Sequence, residues 1–261
     1  MKRRRAETQP DRRMAVEVGT AQWEGTRPEQ NDVVSVTSQG DGRGICVMMA
    51  DGIGTGSSAG AAANAAVQAM LLAYSARKSE ENPILRMIQS VGGAHQAVLR
   101  VNGRLLDQGR MSTGAAVACV LAREDQFSFC SVGNVRIFLY RNGGLLLLNR
   151  DFLLSTSAET ESILEGEEPD IDPEWNLRLT AYAGMDGLKE LDWPEESLTL
   201  MPDDQILMMS SGMYGIFSEK EWEELLDNYL PQSAAEEAIR RVQQRRNESQ
   251  SNISLAILRF S

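Results

Sequence analysis

The chain has 261 residues, of which 42% are hydrophobic and 24% charged, enough for one large domain or two small ones with a substantial buried core. Its net charge of −11 is uneven: Lys2, Arg3, Arg4, Arg5, Arg12 and Arg13 stand against Glu7 and Asp11 in a basic tail over residues 1–13, and subtracting that tail's +4 leaves −15 on the body. An acidic body excludes nucleic acid as the main partner, and no apolar run approaches the about 18 residues of a transmembrane helix.

The tail reads as a solvated, disordered end; with no apolar segment after it, it is not a secretory signal. Strands are expected at 14–23, 33–38 and 45–50, which are short, Val-rich and bounded by Gly, Pro or Asp. An Ala-rich helix is expected over 57–77, opening at Ser57–Ser58. A second is expected over 83–106, with Ile84, Met87, Ile88, Val91, Val98, Leu99 and Leu105 at helical spacing and a weak point at Gly92–Gly93.

Four strands follow at 113–122, 127–132, 135–141 and 144–149, the last two joined by a turn at Arg141–Asn142–Gly143. Residues 151–174 change character: eight acids and no Lys or Arg lie between Glu159 and Glu174, which reads as an exposed, flap-like insertion. Further strands are expected at 176–182, 196–201 and 204–210. Two helices are expected next, with Ser218–Glu221 and Ser233–Glu236 as capping boxes, and then a last strand at 252–260.

The runs of strands and helices are segregated, so an α+β layered domain over 14–261 is expected rather than a doubly wound parallel sheet. Cys46, Cys119 and Cys130 lie in apolar runs without paired spacing and read as reduced, buried thiols of a cytoplasmic protein. His95, the one histidine, reads as an ordinary helix residue.

Four short segments at strand ends stand out: Arg27-Pro28-Glu29-Gln30-Asn31-Asp32, Ala50-Asp51-Gly52-Ile53-Gly54, Ser210-Ser211-Gly212-Met213 and Ser251-Asn252-Ile253-Ser254. Each alone is an ordinary turn signal. In this order, together with STGAAVACV and SVGNVRIFLYRNG, the set resembles the PPM-type, metal-dependent serine/threonine protein phosphatases (protein phosphatase 2C-like) from about residue 15 to 260.

The resemblance implies a four-layer α-β-β-α sandwich in which two antiparallel sheets are flanked by helix pairs. It also implies paired Mg²⁺ or Mn²⁺ ions between the sheets, activating a water that attacks a phosphoserine or phosphothreonine. It assigns Asp51 and the Gly52 carbonyl to the metals, Asp32 to a water-mediated role beside them, and Arg27 to the phosphate.

The same alignment puts Ser211 and Ser251 where the family has direct carboxylate ligands. Asn134 and Asn31 replace two further acids, and Ile53 stands where many members have His. Two divalent ions bring +4, whereas Asp32 and Asp51 offer −2, so one ion or none is expected. The expected function is therefore a catalytically impaired pseudophosphatase that binds a phosphoprotein or signalling partner. The alternative is an active Mg- or Mn-dependent phosphatase working with a reduced metal site.

Overall fold

The computed structural model describes residues 14–37, 44–54, 56–76, 82–165 and 178–261. The basic tail and the core of the acidic stretch, residues 166–174, lie outside the described residues.

The strands are β1 (Val16–Trp23), β2 (Asp32–Val36), β3 (Ile45–Ile53), β4 (Gly114–Arg123), β5 (Gln126–Val132), β6 (Arg136–Arg141), β7 (Gly144–Leu147), β8 (Leu198–Thr199), β9 (Gln205–Met209) and β10 (Ile253–Phe260). The helices are α1 (Ser57–Ser75), α2 (Pro83–Asp107), α3 (Leu154–Glu165), α4 (Glu219–Asn228) and α5 (Pro231–Gln244). The strands form two five-stranded sheets, ordered β1-β10-β9-β6-β7 and β2-β3-β4-β5-β8, and every pairing is antiparallel.

The central strands are apolar on both faces because both faces are covered. On β4, Ala115, Val117, Cys119 and Leu121 join the core beneath α1 and α2, while Ala116, Ala118, Val120 and Ala122 meet the other sheet. On β10, Ile253, Leu255 and Ile257 pack on α4 and α5, while Ala256, Leu258 and Phe260 face inward. The period-2 alternation of strand side chains thus builds three core layers between four layers of backbone, the sandwich that the resemblance implied.

Small side chains set the spacing. Ala59, Ala62, Ala63 and Ala66 of α1 are fully buried against β3 and β4. The glycine pair at 92–93 leaves α2 unbroken over 25 residues, because packing on α1 outweighs the about 1 kcal/mol propensity cost of each glycine. Asn142 and Gly143 both have positive φ and close the β6–β7 hairpin as expected. Cys46, Cys119 and Cys130 are buried free thiols.

Three local expectations need correction. Residues 178–182 form no strand, only an isolated bridge from Leu179 to Leu153, with a second from Ala183 to Ala115; residues 176 and 177 lie outside the described residues. The segment from 151 is not wholly an exposed insertion: Asp151, Phe152, Leu153 and Ser155 are buried, Phe152 lies in the core beneath α1 and α2, and α3 follows. Ser233 is not a cap: α5 begins at Pro231, whose fixed φ suits the first helical position, so Ser233 falls inside the first turn. The Ser218–Glu221 capping box is present in full.

His95 on α2 accepts a hydrogen bond from the Gly184 amide at Nδ1 (3.2 Å), which requires an unprotonated nitrogen there. Burial pushes its pKa below the ordinary 6.5. Because the folded value is depressed, this contact contributes fully above about pH 6.5 and is lost as pH falls through the folded value. A proton NMR titration of this one histidine is expected to give a midpoint below 6.5; a midpoint above it would contradict the contact.

Candidate functional site

The first two acids are brought together by strand register. Asp32 begins β2, Asp51 lies near the end of β3, and the two are direct cross-strand partners. Like charges placed so close on adjacent strands repel. Asp32 is 3% exposed; burial first, and then the charge of Asp51, push its carboxyl up to about 8. Ser254 on β10 donates to Asp32 Oδ2 (3.0 Å), and Asp32 Oδ1 is buried without a partner.

Ser211 arrives from the other sheet. It opens a single 3-10 turn, Ser211–Met213, directly after β9. Its amide (3.1 Å) and its hydroxyl (2.6 Å) both donate to Asp51 Oδ2. Ser211 therefore places two hydrogen-bond donors against one oxygen of the Asp51 carboxylate.

Asp51 and Ser211 line a cleft of about 580 Å³ together with Arg27, Ile53, Asn134, Arg136, Leu153, Leu179, Tyr214 and Ser251. Six of the residues singled out in the sequence thus meet there: Arg27, Asp51, Ile53, Asn134, Ser211 and Ser251. The others do not line it. Asp32 is buried; Gly52 abuts the start of α1, where an added Cβ would lie 2.5 Å from the Ala59 carbonyl oxygen; and the Asn31 side chain faces Gly60. His95 also stands apart from the cleft lining.

Two features escaped the sequence reading. Asn252 ties down the loop that carries Arg27: its amide donates to the carbonyls of Glu24 (2.8 Å) and Glu29 (2.9 Å), and its Oδ1 accepts from the Asn31 amide (3.0 Å). Arg136 donates through Nε (2.8 Å) and Nη2 (2.6 Å) to Asp151 Oδ2, and its guanidinium lies 3.8 Å above the Tyr214 ring. The available signal was a charge inside an apolar strand, Val135-Arg136-Ile137. Among the described residues, no group of three or more His, Cys, Asp or Glu is arranged to hold a metal ion.

The profile of the protein phosphatase 2C family matches residues 18–248. No curated protein matches the chain. Solved structures do. PppA, described as a key regulatory component of T6SS in Pseudomonas aeruginosa, is 17% identical with a TM-score of 0.76, over 94% of this chain and 98% of that one. The Mycobacterium tuberculosis serine/threonine phosphatase PstP/Ppp is 16% identical with a TM-score of 0.74, over 94% and 98% of the two chains. The catalytic domain of PstP in complex with two manganese ions is 16% identical with a TM-score of 0.73, over 95% and 99%. At these identities the likeness is one of fold, and it matches the two-sheet sandwich described above. With the family profile spanning most of its length, the chain belongs to the protein phosphatase 2C family.

Proposed function

We propose that this chain is a pseudophosphatase: a member of the family impaired in catalysis, serving a binding or regulatory role in cytoplasmic phospho-signalling with a phosphoprotein or signalling protein as partner. The observation that carries this reading is the 2.6 Å hydrogen bond from the Ser211 hydroxyl to Asp51 Oδ2.

The donor set does not fit a pair of divalent ions. Hard cations take oxygen ligands, preferably carboxylates. Of the cleft-lining positions that carry acids in the family, only Asp51 keeps one, and its Oδ2 is already engaged by two donors from Ser211. Ser251 and Asn134 are neutral. At most one Mg²⁺ or Mn²⁺ could be held, by Asp51 and the Gly52 carbonyl with Asp32 acting through water. Such an ion, when bound, would polarise a phosphate oxygen and lower the pKa of water. Hydrolysis with that reduced site is the second reading, favoured by the presence of Arg27 and Asp51 in one cleft.

The test is turnover of a phosphoserine peptide with excess Mn²⁺, run beside Asp51→Ala. The expected result is no phosphate release above the variant. Release that disappears in Asp51→Ala would establish the second reading instead.

A further inference from the structure

Three sulfur atoms meet in the core layer beneath α1 and α2, apart from the cleft. Cys46 Sγ on β3 lies 3.5 Å from Cys119 Sγ on β4, and Cys119 Sγ lies 3.3 Å from Met87 Sδ on α2. All three side chains are fully buried. Free cysteine and methionine pack as apolar groups, and for the sulfurs alone packing would be a sufficient account. Their neighbour is not explained that way. Arg86, one residue before Met87, is 1% exposed. Its Nη2 donates to the Tyr74 carbonyl (3.1 Å) and its guanidinium lies 4.3 Å over the Tyr74 ring, while Nε and Nη1 are buried without a hydrogen-bond partner. Arginine stays charged, and a buried charge with no counter-charge is strongly destabilising.

The charge of Arg86 reaches the sulfurs. The bond with Cys46 first, and then burial and the charge of Cys46, push the Cys119 thiol up, whereas Arg86 draws it down and favours the thiolate. Strand register limits how the two cysteines can be joined. Cys46 pairs with Leu121 and Met48 pairs with Cys119, so the cysteines are diagonal neighbours, about 7–8 Å apart at Cα. A disulfide does not span that distance without backbone movement. A metal ion does: with metal–sulfur bonds of about 2.3 Å, sulfurs sharing one ion stand about 4 Å apart. The unbranched Met87 side chain can adjust its thioether to such an ion.

Thiolate and thioether ligands together select Cu(I) over hard cations, and Zn²⁺ takes Cys, His and carboxylate rather than Met. We infer that Cys46, Cys119 and Met87 form a Cu(I) site, with Arg86 as its counter-charge. Binding releases the two thiol protons to solvent and leaves the copper in its oxidation state. Two thiolates around Cu⁺ carry one net negative charge, which Arg86 balances, so the loaded site gives the buried guanidinium the partner that its protein neighbours do not supply. Cys130, the cross-strand partner of Cys119 on β5, lies in the same layer outside this ligand set and serves as the internal control.

The test is anaerobic titration of the reduced full chain with Cu(I) against a colorimetric Cu(I) chelator, followed by X-ray absorption of the loaded protein. A single equivalent is expected to be withdrawn from the chelator, with sulfur-only coordination. Cys46→Ala and Cys119→Ala are each expected to weaken Cu(I) by more than about 100-fold, beyond the range of an outer-shell change. Arg86→Met is expected to weaken it about tenfold, the loss of an outer-shell partner, and Arg86→Lys is expected to restore part of that. Met87→Leu conserves volume, so the variant keeps the parent's melting temperature and is expected to bind about tenfold more weakly. Cys130→Ala is expected to bind as the parent does. No withdrawal from the chelator, nitrogen or oxygen ligands in the spectrum, binding that survives Cys46→Ala and Met87→Leu unchanged, or a loss in Cys130→Ala as large as that in Cys46→Ala would each overturn the inference.

Discussion

The double variant Ser211→Asp, Ser251→Asp is expected to bind Mn²⁺ about 100-fold more tightly than the parent chain, and to be less stable than the parent when metal is removed. Two unit charges about 4 Å apart interact by about 4 kcal/mol at the effective dielectric of a protein surface. Part of that gain is lost in stripping water from the ion, and a net of roughly 2.7 kcal/mol corresponds to 100-fold. Position 211 already lies against Asp51, so an aspartate there would share an ion with it without rearrangement of the strands.

The same proximity makes the variant costly without metal. An aspartate introduced at position 211 would replace a donor with a charge beside Asp51 and near the buried Asp32, whose carboxyl is already pushed up to about 8. A melting temperature several degrees lower in EDTA, recovered on adding Mn²⁺, is the expected signature, since 1 kcal/mol moves a domain of this size by about 2–4 °C. No gain in Mn²⁺ affinity would mean that Ser211 and Ser251 do not stand at the ligand positions.

Gly212→Ala is expected to cost about 3 kcal/mol of folding stability, at the upper end for overpacking, because the obstacle is backbone. A Cβ at 212 would lie 2.0 Å from the Asn252 carbonyl oxygen and 2.9 Å from its carbon. Asn252 cannot yield freely, since its side chain holds Glu24, Glu29 and Asn31 in the loop that carries Arg27. Ser211→Ala, one residue away, removes only the hydroxyl bond to Asp51 and is expected to cost about 1 kcal/mol. Denaturant titration of the two variants compares them directly. A loss below about 1 kcal/mol for Gly212→Ala would contradict the close approach of the turn to β10. The contrast separates the two neighbours: Gly212 is required by the close approach of the turn to β10, whereas Ser211 contributes one hydroxyl bond.

Elements with local signals were legible in the sequence. The Ala-rich stretch of α1, the Ser218 capping box and the Asn142–Gly143 turn each depend on neighbours within a few residues. The apolar runs of β3, β4 and β10 were recognisable as strands because they are covered on both faces. The strand expected over 176–182 does not form in its described part, 178–182, because pairing needs a partner: Leu179 makes a single isolated bridge, and so does Ala183 just beyond it, so apolar composition does not become a strand. Phe152 and Asp151 were assigned to an exposed insertion because the acids beyond them dominate that stretch, although one joins a core and the other pairs with Arg136.

The candidate site divides along the same line. The motif positions Arg27, Asp51, Asn134, Ser211 and Ser251 were readable in order, and they do share one cleft. What each side chain does there was not readable. The bond from Ser211 to Asp51 spans 160 residues of chain, and the stacking of Arg136 on Tyr214 depends on two strands and a turn from distant parts of the sequence.

A cleft without the ligands for a two-ion centre has a direct calorimetric signature when Mn²⁺ is titrated into the unmodified chain. The expected result is no binding or a single weak site that Asp51→Ala abolishes. Two tight sites would contradict the account.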